Sequence, residues 1–451
     1  MTDQDLQKRV VHRTWQTLPV VDRGEGIYLW DRDGNKYIDG AAGSSVVVNI
    51  GHGVRSVVDA MYEQGKRVSY AAPHVMTNQP VLELGQLVAE RAPGALKNNC
   101  RTWFSVTGTD STDDAARLAR QYFVATGKAS KSCIIGRWQG FHGNNLAVAG
   151  FSGITARRRI YFPMYINSPH IPPAYCYRCH YEMTYPQCGL KCARALETMI
   201  RQIGDENVAA FIAEPVVGAA LGAVPAPEGY FEVVRDICNR YDVLLIVDEV
   251  MTAWGRIGSW FGIEQWGITP DIIATAKGMT SGYAPLAATI ARDDMWQAIQ
   301  DSGNPFLAGH TMNHNPVACA GAVAGIRYLE EHKLLQNSRE TGAYLLGRLQ
   351  ELLALDIVGD VRGRGLMCGV EFVKDKASKE PFPASAKVSG LIQSEAMKRG
   401  LILFSCTGCV EGVAGDMMLV TPPLIITRQQ VDDLIAIFRE AILAAQKRLL
   451  G

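Results

Sequence analysis

The chain alternates short, wholly apolar runs with longer stretches in which apolar residues recur every three or four positions. The runs are TWFSV (Thr102 to Val106), CIIGR from Cys133, AAFIAEP from Ala209, VLLIVDEV from Val243, IIATAKG from Ile272 and PLAATIA from Pro285. None alternates apolar with polar, as a half-exposed strand would, so each reads as a strand buried on both faces. Between the first two lies DSTDDAARLARQYFVATG, where Ala115, Leu118, Ala119 and Phe123 share one helical face. Strands of this kind separated by helices predict an α/β domain with a mostly parallel sheet, over residues 66–333. Before it, GIYLWDRDGNKYIDG (Gly26 to Gly40) places two β-like runs around Asp33-Gly34, a hairpin signal. After about Leu334, helices alternate with short strands such as GLMCGVEFV, and an amphipathic helix follows Thr427. Residues 1–65 and 334–451 are expected to pack together as a smaller α+β domain built from both termini.

Ligands of open α/β sheets sit beyond the carboxyl ends of the strands. The polar residues ending the runs therefore carry the chemical argument: Thr107, His142, Glu214, Asp248 and Lys277. Lysine at the end of an apolar strand, followed by glycine, is a candidate nucleophilic amine, since burial lowers its pKa. Loops carry lysines readily, and Lys277 alone is as compatible with a surface position. Asp248 closes a strand with almost nothing else polar, and a buried carboxylate needs a partner. A protonated pyridine nitrogen is one such partner; a helix cap or an arginine is the commoner one. Thr107, Gly108 and Thr109 precede a helix, so free N–H groups and the helix dipole can face an anion. In GFHG, Phe141 could stack on a flat ring and His142 could touch its edge, although core packing explains such aromatics as well.

Taken together, in one order along one sheet edge, these residues resemble the class III aminotransferases of fold type I, which depend on pyridoxal 5'-phosphate (PLP). The resemblance rests on the Gly-Thr helix start at Gly108, GFHG at Phe141, AEP at Glu214, VDEV at Asp248, GR at Arg256, TAKG at Lys277, GHT at Thr311 and GRGLMCGVEF from Gly363. It implies that Lys277 forms the Schiff base with PLP and then carries the proton, and that Asp248 pairs with the pyridine nitrogen. Val250 would pack on the ring face opposite Phe141, with Gly108 and Thr109 on the phosphate and Glu214 near the substrate end. Thr311 would reach the phosphate of the neighbouring subunit, in a homodimer or dimer of dimers with shared active sites. The implied reaction moves an amino group from an ω-amino acid or terminal amine (β-alanine, 4-aminobutyrate, taurine or similar) to a 2-oxo acid such as pyruvate or 2-oxoglutarate. A PLP-dependent aminomutase or decarboxylase on the same fold shares Lys277 and Asp248.

At the phosphate helix the chain reads Thr107-Gly108-Thr109-Asp110-Ser111-Thr112 where the family usually has Ser-Gly-Ser/Thr-Glu-Ala-Asn, which keeps hydroxyls and an acid, and two further positions depart from the family pattern. Thr252 stands where the resemblance places a glutamine near the cofactor's ring hydroxyl, and Met312 replaces an aromatic residue after Thr311. An insert, PPAYCYRCHYEMTYPQCGLKC, holds Cys176, Cys179, Cys188 and Cys192, a spacing compatible with a structural zinc site or with a metal-free thiol-rich loop.

Composition narrows the partners. Lys+Arg and Asp+Glu are both 45, leaving no net charge to favour nucleic acid or an anionic membrane. Of the 451 residues 47% are hydrophobic and 20% charged, the balance of a soluble two-domain chain. No run approaches the roughly 18 apolar residues of a membrane span, and the start MTDQDLQKRV lacks a secretory apolar segment. A cytoplasmic location is expected. Most of the 11 cysteines stand in apolar stretches and read as buried thiols.

Overall fold

The computed structural model describes residues 3–450. Among them seven strands form the central sheet: β1 (Cys100–Ser105), β2 (Cys133–Arg137), β3 (His170–Ile171), β4 (Val208–Ala213), β5 (Leu244–Asp248), β6 (Ile272–Thr275) and β7 (Ala287–Arg292). Their spatial order is β1-β7-β6-β5-β4-β2-β3. β7 runs antiparallel to both its neighbours, whereas the other pairings are parallel. The exception has a simple cause. Residues 276–286 are too few for the helical crossover that a parallel return needs, so the chain turns back on itself.

Successive residues of one strand enter different cores, which explains the unbroken apolar runs. Leu244 and Ile246 pack with Ala115, Leu118, Ala119 and Phe123 of helix α1 (Gly108–Ala125), while Leu245 and Val247 join the larger core on the other face. All four of the helix residues picked out by spacing are fully buried. A substitution such as Phe123→Ala would empty one of these cores at about 3–5 kcal/mol.

The two ends of the chain meet. Strands Val21–Glu25, Tyr28–Asp31 and Lys36–Asp39 form an antiparallel ribbon, and Leu401–Ile402 extends it in parallel with Lys36–Asp39. The hairpin loop is longer than the Asp33-Gly34 pair alone. Asp31 closes it by accepting from the backbone N–H of Asp33 and Asn35 and from the Tyr37 hydroxyl. A second antiparallel sheet contains Val358–Arg364, Met367–Phe372, Ala414–Val420 and Phe404–Val410. The terminal helix Arg428–Leu450 buries Val431, Leu434, Phe438 and Ala441 along one stripe. We propose the same two-domain division with one adjustment. The 65/66 boundary cuts helix Arg55–Arg67, which packs on helix Pro316–Glu331 of the larger domain, so a boundary before Arg55 suits the packing better. Among the described residues no helix is long and apolar enough to cross a membrane.

Candidate active site

Because β1, β2, β4, β5 and β6 are mutually parallel, their carboxyl ends share one edge. There a cavity of about 190 Å³ is lined by Thr107, Gly108, Thr109, Phe141, His142, Gly143, Asn144, Glu214, Asp248, Val250, Met251 and Lys277, among others. Thus eight of the nine residues named from sequence border one space. Thr311 does not. It is exposed, in the turn before helix Pro316–Glu331, and outside the cavity of its own chain.

One end of the cavity is built by the start of α1. Thr107 caps the helix: its hydroxyl accepts from Asp110 N–H, and the Asp110 carboxylate accepts from Thr107 N–H. The first intrahelical bond runs from Ser111 N–H to Thr107 C=O. The N–H groups of Gly108 and Thr109 are therefore those left at the helix mouth, where the dipole favours negative charge. Space is tight around them. A Cβ on Gly108 would stand 2.9 Å from Val250 Cγ1, and one on Gly143 2.7 Å from Thr109 Oγ1.

Asp248, at the end of β5, is buried and held at both oxygens. Oδ2 meets His142 Nδ1 at 2.7 Å, and Oδ1 accepts from Val250 N–H at 2.9 Å. His142 Nε2 is buried without a hydrogen-bond partner. Glu214 accepts from Phe141 N–H at 3.3 Å and lies 3.4 Å from Arg137 Nη2, which also donates to the Glu214 carbonyl. Burial raises the Glu214 pKa, and nearby Asp248 pushes the same way, against His142 and Arg137.

Lys277 lies two residues beyond β6 and is half-buried at the cavity wall. Burial lowers its pKa to about 8; Asp248 opposes this, Arg256 adds to it, and Glu214 opposes it. Its φ of +42° lies in the left-handed region, costly for a residue with a Cβ. Such strain survives only where the surroundings fix it, and it concentrates at functional positions. Arg256 is fully buried and supports this region from behind, donating to the Leu366 and Pro422 carbonyls and to Asn49 Oδ1.

The residues fit PLP. A helix mouth with two free N–H groups suits its phosphate, a fixed buried carboxylate suits a protonated pyridine nitrogen, Phe141 and Val250 offer apolar faces, and a lysine of lowered pKa suits Schiff-base formation.

The aminotransferase class-III family model matches residues 10–442. The chain is a class-III aminotransferase. Curated relatives agree over its full length. An uncharacterized aminotransferase of Bacillus subtilis is 36% identical over 96% of both chains, and the putrescine–pyruvate aminotransferase of Pseudomonas aeruginosa is 35% identical over 94% of this chain and 90% of its own. The structure of the omega transaminase from Pseudomonas jessenii in complex with PMP superposes with a TM-score of 0.91 at 28% identity, covering 98% of each chain. The fold is that of the PLP-dependent fold type I transaminases, and the cofactor of this aminotransferase is PLP.

Thr252 does not line the cavity of the aminotransferase; its hydroxyl is spent on the buried carboxylate of Glu249, and Met251 faces the cavity instead. Glu249, overlooked in the sequence, also accepts from Gly262 and Ile263 N–H at 2.8 and 2.7 Å, and so ties the segment after β5 together. Burial pushes its pKa up to about 7 against these hydrogen bonds. The cysteine insert, read as compatible with zinc or with a metal-free thiol loop, is a thiol loop here. Cys176, Cys179, Cys188 and Cys192 are free thiols, and among the described residues no three Cys, His, Asp or Glu side chains gather to hold a metal ion. Burial raises the Cys192 thiol to about 11.

Proposed function

We propose that this aminotransferase transfers an amino group from an ω-amino acid or terminal amine to a 2-oxo acid such as pyruvate or 2-oxoglutarate, as a homodimer with Lys277 as the catalytic residue. The observation that carries the reading is the convergence of Lys277, Asp248, His142, Gly108 and Thr109 on one cavity at the sheet edge. When bound, PLP supplies a ring that accepts the electron pair left on the substrate carbon as its proton departs. Lys277 Nζ holds the cofactor and then moves that proton, as a base close to neutral in its environment. Asp248, oriented by His142 Nδ1 and Val250 N–H, holds the proton on the pyridine nitrogen. Gly108 and Thr109 N–H bind the phosphate and fix the ring over Lys277. Phe141, Val250 and Met251 exclude water from its faces. Thr311 is left for the partner subunit, which fits its exposure and its distance from its own cavity.

The test is to add single amines without acceptor and follow the visible absorbance of the holoenzyme. One donor should abolish the Schiff-base band, and pyruvate or 2-oxoglutarate should restore it. A band that no amine changes would sink the proposal.

A further inference from the structure

The run Arg157, Arg158, Arg159 follows the cofactor cavity closely in space. Phe141, Gly143 and Asn144 border both that cavity and an adjoining one of about 400 Å³, whose wall carries Arg13, Arg157 and Arg158. Arg13, Arg157 and Arg159 also border a third cavity, of about 360 Å³, closed by the segment 404–413. The three arginines differ sharply. Arg158 is buried and its guanidinium is occupied by the carbonyls of Ala149, Gly150 and Ser152, at 2.8–2.9 Å. Arg159 is exposed. Arg157 is half-buried and has a single side-chain hydrogen bond, to Asn144 Oδ1 at 2.8 Å. Its guanidinium stands 4.5 Å from the centre of the Phe141 ring.

Among the described residues no carboxylate pairs with Arg157. Burial first, and then the positive charge of Arg13, lower its pKa. A partly desolvated cation beside a second cation is unfavourable by itself and is relieved by an anion. The facing segment, FSCTGCVEGV from Phe404, carries no lysine or arginine and offers no rival anchor. Four of the five guanidinium N–H groups remain for a planar or tetrahedral acid group.

We propose that Arg157, supported by Arg13, binds the acid group of the amino donor and so selects amines bearing a carboxylate or sulfonate remote from the nitrogen. This rests on the aminotransferase reading of the adjoining cavity. Phe141 links the two sites: it faces the cofactor and supports the guanidinium, so that the acid is held at one side while the amine reaches Lys277. Asn144 fixes the guanidinium without neutralising it.

The experiment compares β-alanine, 4-aminobutyrate and taurine with 1-aminobutane, each as sole donor to the PLP-loaded enzyme, for the parent, Arg157→Met and Arg157→Lys. The parent should prefer at least one acid-bearing donor over 1-aminobutane. In Arg157→Met that preference in kcat/KM should fall by roughly 30-fold or more, chiefly through KM. Arg157→Lys should recover part of it, as a cation without the planar fork. An undiminished preference, an equal loss for 1-aminobutane, or a rise in the KM of pyruvate in place of the donor's would overturn the assignment, as would a parent enzyme that favours 1-aminobutane over all three acids. If no amine of either kind alters the absorbance of the parent, the failure lies instead in the donor reading on which the anchor rests.

Discussion

Lys277 and Asp248 do different work from the same edge. On the proposed reading, Lys277→Ala removes the amine but leaves Gly108, Thr109 and Asp248 in place, so the variant should fold and take up PLP non-covalently. Its turnover should fall by roughly a thousandfold or more, the scale of a lost proton-transfer group. Activity close to that of the parent would remove Lys277 from the mechanism. The lowered pKa of Lys277 gives a second prediction. Only the neutral amine attacks an aldehyde, and its fraction grows as pH rises through about 8. The rate of PLP capture by the cofactor-free protein should therefore climb between about pH 7 and 9 and then level off, measured by stopped-flow absorbance. A rate still rising past pH 10 would mean that Lys277 has the ordinary lysine pKa.

At the scale of elements, the join between β1 and α1 shapes the phosphate end. Thr107 and Asp110 consume the donor nearest the cap and leave Gly108 and Thr109 to the ligand. A Cβ on Gly108 would crowd Val250, whose side chain also borders the cavity. For Gly108→Ala we expect PLP affinity to drop about tenfold, ~1.4 kcal/mol, with little change in melting temperature of the cofactor-free protein. Equilibrium dialysis measures the first and thermal unfolding the second; unchanged affinity would show that Val250 yields freely. Glu249 plays the converse, structural part. Glu249→Ala strips acceptors from two buried N–H groups and should destabilise the fold by about 2–4 kcal/mol. An unaltered melting temperature would contradict its bracing role.

For the whole molecule, the decisive residue is the one that its own cavity does not use. Thr311 is exposed and outside the cofactor cavity of its chain. If the aminotransferase is a homodimer with shared sites, Thr311→Ala should weaken PLP retention several-fold, although it touches nothing at its own site. Retention in the parent should also fall on dilution, as dimers dissociate. Size-exclusion chromatography with absorbance detection follows both. A monomer that retains PLP at every concentration would refute the shared site.

The sequence by itself determined the strands, the helix α1 and the order of chemical groups along one edge, because two-sided burial writes unbroken apolar runs and because residues at strand ends need no long-range information to be placed. It was enough for Gly108, Phe141, Asp248 and Lys277 to resemble a known family. Tertiary structure alone decided what distant segments do to one another. It reversed β7, because the length of a connector matters only once the sheet exists. It gave Thr252 to Glu249 and the cavity to Met251, since adjacent residues after a strand point in different directions that the linear order does not reveal. It separated Arg157 from Arg158, which look alike in sequence, because only packing shows which guanidinium already has its acceptors. It also left the four cysteines of the insert as free thiols, a state that spacing along the chain does not reveal.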